Sequence, residues 1–144
     1  MSDTASDRLE HIAAEFAELE PRERLELLLE FAEKLAPLPE AYKAQRDTGF
    51  NRVPECQTPV FLWVELEGDR VRIYGDVAPE APTVKGFVSV LSDIFSGATP
   101  EEALAVDRNI VKRFALVEAL GMVRMRGLQA IADHIHRKVA QVAA

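Results

Sequence analysis

The chain has a single thiol, Cys56, in the stretch "NRVPECQTPVFLWVE". A thiol so placed can serve as a hydrolytic nucleophile, carry sulfur, or lie inert in the interior, where cysteine is among the residue types most often buried. Its neighbours favour a structured loop over a core strand: Pro54 and Pro59 restrict the backbone on either side, and Gln57 and Thr58 are polar. Hydrolytic cysteine catalysis needs a histidine base, usually oriented by a third group. The candidates are His11, His134 and His136. All three fall in segments with helical patterning, and nothing in the sequence brings one of them to Cys56. A spacing of two points His134 and His136 in different directions. It also makes "DHIH" a poor metal pair, because helical ligand pairs favour spacings of three or four. One cysteine forms no internal disulfide and no multi-thiolate metal site. "VKGF" has one glycine and is no phosphate loop.

The elements that must position this loop can be read from periodicity. Leu9, Ile12, Phe16 and Leu19 predict a helix over 7–19. Pro21 suits the first turn of a second helix carrying Leu25, Leu28, Leu29, Ala32 and Leu35, which "PLPE" stops. Residues 40–58 read as the longest loop, with a short strand at Asn51–Val53. From Val60 the period becomes two. Val60–Glu67 is β-branched and aromatic, Gly68-Asp69 is a two-residue hairpin loop, and Val71, Ile73 and Val77 alternate with polar residues, giving a second strand with one wet face. Trp63, inside the apolar strand, is expected to be buried. Val84, Phe87, Val88, Leu91 and Phe95 mark a helix closed by Gly97. Thr99, Pro100 and Glu102 form a capping box. Ile110, Phe114 and Val117 continue on a helix to Gly121, and Leu128, Ile131, Ala132, Ile135 and Val139 mark the last amphipathic helix. The fold class is α+β: one domain over 1–144, with a small antiparallel sheet packed against several α-helices.

At 144 residues with 48% hydrophobic and 28% charged residues, the composition is that of a soluble globular domain. "PVFLWV" is too short to cross a bilayer, and "SDTASDRLEH" is acidic where a secretory signal is apolar, so a cytoplasmic protein with no membrane association is expected. The net charge of −7 resides in residues 1–40, whereas residues 108–144 are basic by +5. That balance disfavours general nucleic-acid binding and leaves two readings of the basic end: a solvated face, or a site for an acidic protein partner.

The same residues resemble a known family. "NRVPECQTPVFLWVE" followed by a hairpin, "TVKGF", "TPEEALAVD" and "RMRGLQAI" is similar to the SufE family of sulfur acceptors in iron–sulfur cluster assembly, over roughly residues 8–140. The family's cysteine motif commonly reads Gly-Cys-Gln-Ser-Gln-Val-Trp; here Glu55, Cys56, Gln57, Thr58, Pro59, Val60 and Phe61 take those places. "KLAPLPEA" matches the Leu-Pro element that ends the family's early helix. Val84, Lys85 and Gly86 match its Val-Lys/Arg-Gly helix start, and Arg124, Gly127 and Leu128 match its Ser-Arg-Ser-x-Gly-Leu segment. The chain departs at Glu55, Pro59, Phe61, Val123 and Met125, the pattern of a divergent member. Glu55 sets beside the thiol a carboxylate that disfavours the thiolate.

The resemblance implies a SufE/IscU-like fold and a persulfide relay of the sulfurtransferase type rather than a stand-alone enzyme. A SufS-like cysteine desulfurase, carrying its own pyridoxal phosphate, would hand sulfur to Cys56 and be stimulated by doing so. A SufBCD-like scaffold would receive the sulfur. The chain itself would need no cofactor and no metal. Cluster scaffolds of this fold need several ligands to hold iron, and one cysteine favours relay over scaffold. Arg52, Gln57, Lys85 and Arg124 become the candidates for binding the partner or stabilising the thiolate. The alternative is a desulfurase-binding or regulatory module on the same fold that transfers no sulfur.

Overall fold

The structure, a computed structural model, describes residues 3–49, 51–54 and 58–143. In chain order the elements are α1 (Ala5–Ala17), α2 (Pro21–Lys34), α3 (Glu40–Asp47), β1 (Val60–Glu67), β2 (Arg70–Val77), α4 (Pro82–Phe95), α5 (Pro100–Leu104), a 3₁₀ turn (Ile110–Phe114) and α6 (Val117–Ala143). The fold is α+β, as expected from the patterning.

Local chemistry starts the helices. Thr4 and Asp7 form a capping box at α1, Thr99 and Glu102 another at α5, and Pro21, Pro82 and Pro100 open their helices where a missing N–H costs nothing. β1 and β2 pair antiparallel in one register, Val60 opposite Val77 through Glu67 opposite Arg70. Alternation sends Val60, Leu62, Val64, Val71, Ile73 and Val77 to one face, where they join the core with α4 and α6. Phe16 binds the helices together: its ring stacks on Phe31 at 6.2 Å and meets Phe114 edge-on at 5.5 Å, and Phe114 in turn meets Phe87. Two close approaches require glycine. A Cβ on Gly75 would stand 2.7 Å from a methyl of Val88, and one on Gly86 would run into the backbone carbonyl of Leu28, so α2 and α4 cross with no side chain between them.

Three local expectations are corrected. The stretch expected to be a loop over 40–58 contains α3. Its residues show no apolar stripe and none is buried, so periodicity is silent there; the helix is supported instead by Glu40 in its first turn, paired with Lys43 at 2.7 Å, and Arg46 in its last. The segment from Ile110 is a 3₁₀ turn that stops at Ala115, in the left-handed conformation with φ 53°, and a new helix begins at Val117. The second strand's polar face is not fully wet: Tyr74 and Asp76 are half-buried, because α3 lies over them. The break expected at Gly121 is present, with φ 81° and ψ 162° interrupting α6.

Candidate functional site

Glu55, Cys56 and Gln57 lie outside the described residues, but both ends of their loop are fixed. The Val53 amide donates to the Val60 carbonyl at 2.8 Å, and the Leu62 amide donates to the Asn51 carbonyl at 3.0 Å. Arg52 bridges Phe61 in antiparallel sense. The short strand expected at Asn51–Val53 is therefore a one-bridge extension of the sheet, and residues 54–59 join it to β1. Val53 and Val60 are fully buried, so the stem is anchored in the core while Pro54 and Pro59 are exposed. Asn51, at φ 64°, takes a left-handed turn that asparagine tolerates better than most residues.

Thr58, the first described residue after the cysteine, lines a groove of about 610 Å³. One wall is the turn into α4 and its first residues, from Glu80 to Val84; the other is α6 around its kink and beyond, with Leu120, Val123, Arg124 and Arg126. Among the described residues neither arginine is paired with a carboxylate, unlike Arg46, Arg72 and Arg113 elsewhere. The residues lining the groove thus include two arginines and one acid, Glu80. An anion is favoured there, and anionic sulfur is one such anion. The α6 kink also displays apolar surface: Met122 is 61% and Val123 79% exposed, next to the arginines. Exposed apolar side chains rimmed by charge are features of protein contact surfaces.

The candidates from sequence divide as follows. Arg124 lines the groove and is exposed. Arg52 is exposed at the loop stem, outside the groove lining. Lys85 sits half-buried one residue beyond the α4 wall, its amide donating to Ala81 at 3.0 Å. Gln57 and Cys56 are not described. Sequence reasoning missed Arg126, whose spacing of two from Arg124 gave no helical signal; the Gly121 break just before it was the available hint. None of the three histidines lines the groove. His11 is exposed on α1 beside Glu15, His134 is buried on α6, and His136 borders a small pocket with Asp133. Among the described residues no group of three or more His, Cys, Asp or Glu could hold a metal ion, and no helix is long and apolar enough to cross a membrane.

Comparison with known proteins decides the family. The family model described as SufE, Fe-S metabolism associated domain, matches residues 10–139. The chain belongs to the SufE family. Its role accordingly lies in iron–sulfur metabolism. Two uncharacterized SufE-like proteins of Mycobacterium tuberculosis strains are 33% identical over 134 residues, covering 92% of this chain and 92% of each relative. The chloroplastic SufE-like protein 2 of Arabidopsis thaliana is 40% identical over 103 residues, 70% of this chain and 38% of that protein. Among solved structures, the solution structure of a hypothetical protein from Thermus thermophilus superposes with a TM-score of 0.79 at 34% identity, over 94% of this chain and 96% of that one. Identity near one third over almost the whole length fits a divergent member.

Proposed function

We propose that this SufE-family protein is a sulfur carrier whose Cys56 takes persulfide sulfur from a cysteine desulfurase and passes it to the iron–sulfur assembly machinery. The observation that carries the reading is positional: the chain's one thiol belongs to a loop stemmed on Val53 and Val60, and that loop adjoins a groove bearing Arg124 and Arg126. A carrier must hold its sulfur on a rigid anchor and extend it into another protein; the buried stem residues Val53 and Val60 supply the first, and the chain turns outward at the exposed Pro54 and Pro59 for the second.

The transfer balances without an external oxidant or reductant. Cys56 loses its proton and attacks the outer sulfur of the donor's cysteine persulfide. The donor's S–S bond breaks, a new S–S bond forms on Cys56, and the donor cysteine leaves as a thiolate that takes up the proton. Arg124 and Arg126 favour the anionic form of the sulfur, offsetting the effect of Glu55 beside the thiol in sequence. The desulfurase carries the pyridoxal phosphate, and this chain contributes the acceptor, its anchor and the docking groove.

The test is thiol-trapping mass spectrometry after incubation with a cysteine desulfurase, pyridoxal phosphate and cysteine. One added sulfur on Cys56, absent in Cys56→Ser, is the expected result. Desulfurase binding and stimulation with no adduct would assign the protein to the non-transferring regulatory alternative. Incubated with ferrous iron and sulfide alone, the protein should show no cluster absorption; a stoichiometric chromophore that needs Cys56 would make it a scaffold.

A further inference from the structure

The apolar stripe of α6 runs on past the part that the core covers. Met125, Leu128, Ala132, Ile135 and Val139 are buried along one side of the helix, and Met122 lies three residues before Met125, in line with them. Yet Met122 is 61% and its neighbour Val123 79% exposed. The break at Gly121 restarts the helix at this point, so its first turn carries apolar side chains with no cover. Leu29 and Leu66 are also exposed, but singly, which is ordinary for a protein surface. Met122 and Val123 are adjacent and border a groove, which is not.

Val123 belongs to the lining of the 610 Å³ groove, and Gly127 and Ala130, four and seven residues on, share that lining and that side of the helix. A Cβ added to Gly127 would meet nothing within 4 Å, so the groove is open above it. Pro82 and Val84 are apolar residues of the opposite wall, and Arg124 and Arg126 stand in the lining with Glu80 as its one acid. These residues suit a partner segment that presents an apolar side chain beside a carboxylate. A second copy suits them less: a two-fold contact on this surface would bring the arginines of both copies together. Thr58, two residues after Cys56 in the chain, lines the same groove, so a protein that delivers sulfur to that loop approaches from this side.

We propose that Met122, Val123 and the open groove above Gly127 receive an apolar side chain of the cysteine desulfurase, flanked by a carboxylate that Arg126 attracts, and that Val123 sets the affinity for this donor. The proposal rests on reading a desulfurase as the sulfur donor and names the contact by which it is recognised. Val123 is one of the positions at which the chain departs from the SufE pattern, so the contact is specific to this chain rather than general to the family.

The full chain is titrated calorimetrically into a cysteine desulfurase from the same organism, and the concentration that half-saturates sulfur transfer is measured beside it. Val123→Ser should raise both the Kd and the half-saturating concentration about fivefold or more, with the maximal transfer rate and the melting temperature those of the parent. Gly127→Leu, which fills the groove, should raise both about tenfold or more. Its melting temperature should be no lower than the parent's, because leucine favours a helix more than glycine does and the added Cβ meets nothing. Added salt should weaken parent binding more than it weakens Arg126→Gln. Leu66→Ser, an exposed apolar residue outside the groove lining, should bind as the parent does. Val123→Ser decides alone if Gly127→Leu does not fold. Parent-like affinity in Val123→Ser, an equal loss in Leu66→Ser, or self-association of the parent that Val123→Ser abolishes would each overturn the proposal. Weakened binding in the groove variants with no sulfur ever found on Cys56 would overturn the carrier reading and leave the docking surface standing.

Discussion

On one face of the hairpin, Leu62, Val64, Ile73 and Val77 press into a core shared with α4 and α6, and glycines at 75 and 86 let backbone approach its neighbours closely. On the other face, Trp63 and Tyr74 meet α3, a helix with no buried residue, through two ring contacts, one hydrogen bond and one ion pair. The same two strands thus carry a side that resists change and a side that accommodates it. The cysteine loop is connected to both: its stem residues Val53 and Val60 are buried with the first, and the chain entering it comes from the second. The proposed sulfur carrier would need this division, because its anchor must persist while the thiol meets different partners.

Substitutions on the two faces should differ in cost. Leu62→Ala should be the most costly, about 2–5 kcal/mol by chemical denaturation, because the packed inner face cannot collapse onto the lost methyl groups. Gly86→Ala should follow at about 1–3 kcal/mol: the added Cβ meets the Leu28 backbone, which cannot turn aside as a side chain would. On the outer face, Trp63→Phe removes the indole N–H and strands Gln45, and should cost about 0.5–1.5 kcal/mol. A cost for Trp63→Phe equal to that of Leu62→Ala would erase the distinction between the faces.

The smallest effect is a pH effect at the rim of the inner side. The Thr99 backbone N–H, and then the Thr99 hydroxyl and Arg70, hold the Glu102 carboxyl below the usual range. A lowered folded-state value stabilises above the ordinary carboxylate pKa and is lost as pH falls through the folded value. Glu102→Gln should therefore flatten part of the acid limb of stability measured by thermal melts, and Tyr42→Ala, on the other face, should leave that limb's slope as it is.

What is legible in the sequence follows the same division. Elements that bury an apolar stripe announce themselves, as do those with strong punctuation: the hairpin register around Gly68-Asp69, the helix from Val84, the capping box at Thr99 and the break at Gly121. α3 does not, because its residues meet an aromatic face through Tyr42, Gln45 and Arg46 rather than through a periodic apolar set, and polar residues in that order read as loop. The 3₁₀ turn at Ile110 reads as an α-helix in sequence because burial at 110, 111 and 114 satisfies either period. For the site, Arg124 is found through family motifs and lines the groove, whereas Arg126 becomes evident only from the fold, which places it in the same lining.

Acceptance of sulfur by direct exchange on Cys56 is most directly tested by a single-turnover transfer: a cysteine desulfurase is charged with persulfide, freed of substrate cysteine, and mixed with this protein. Sulfur lost from the donor should appear one-for-one on Cys56, with none transferred to Cys56→Ser, whose fold and binding to the donor should match the parent's. A donor that keeps its sulfur in the complex, or releases it while Cys56 stays unmodified, would contradict direct exchange.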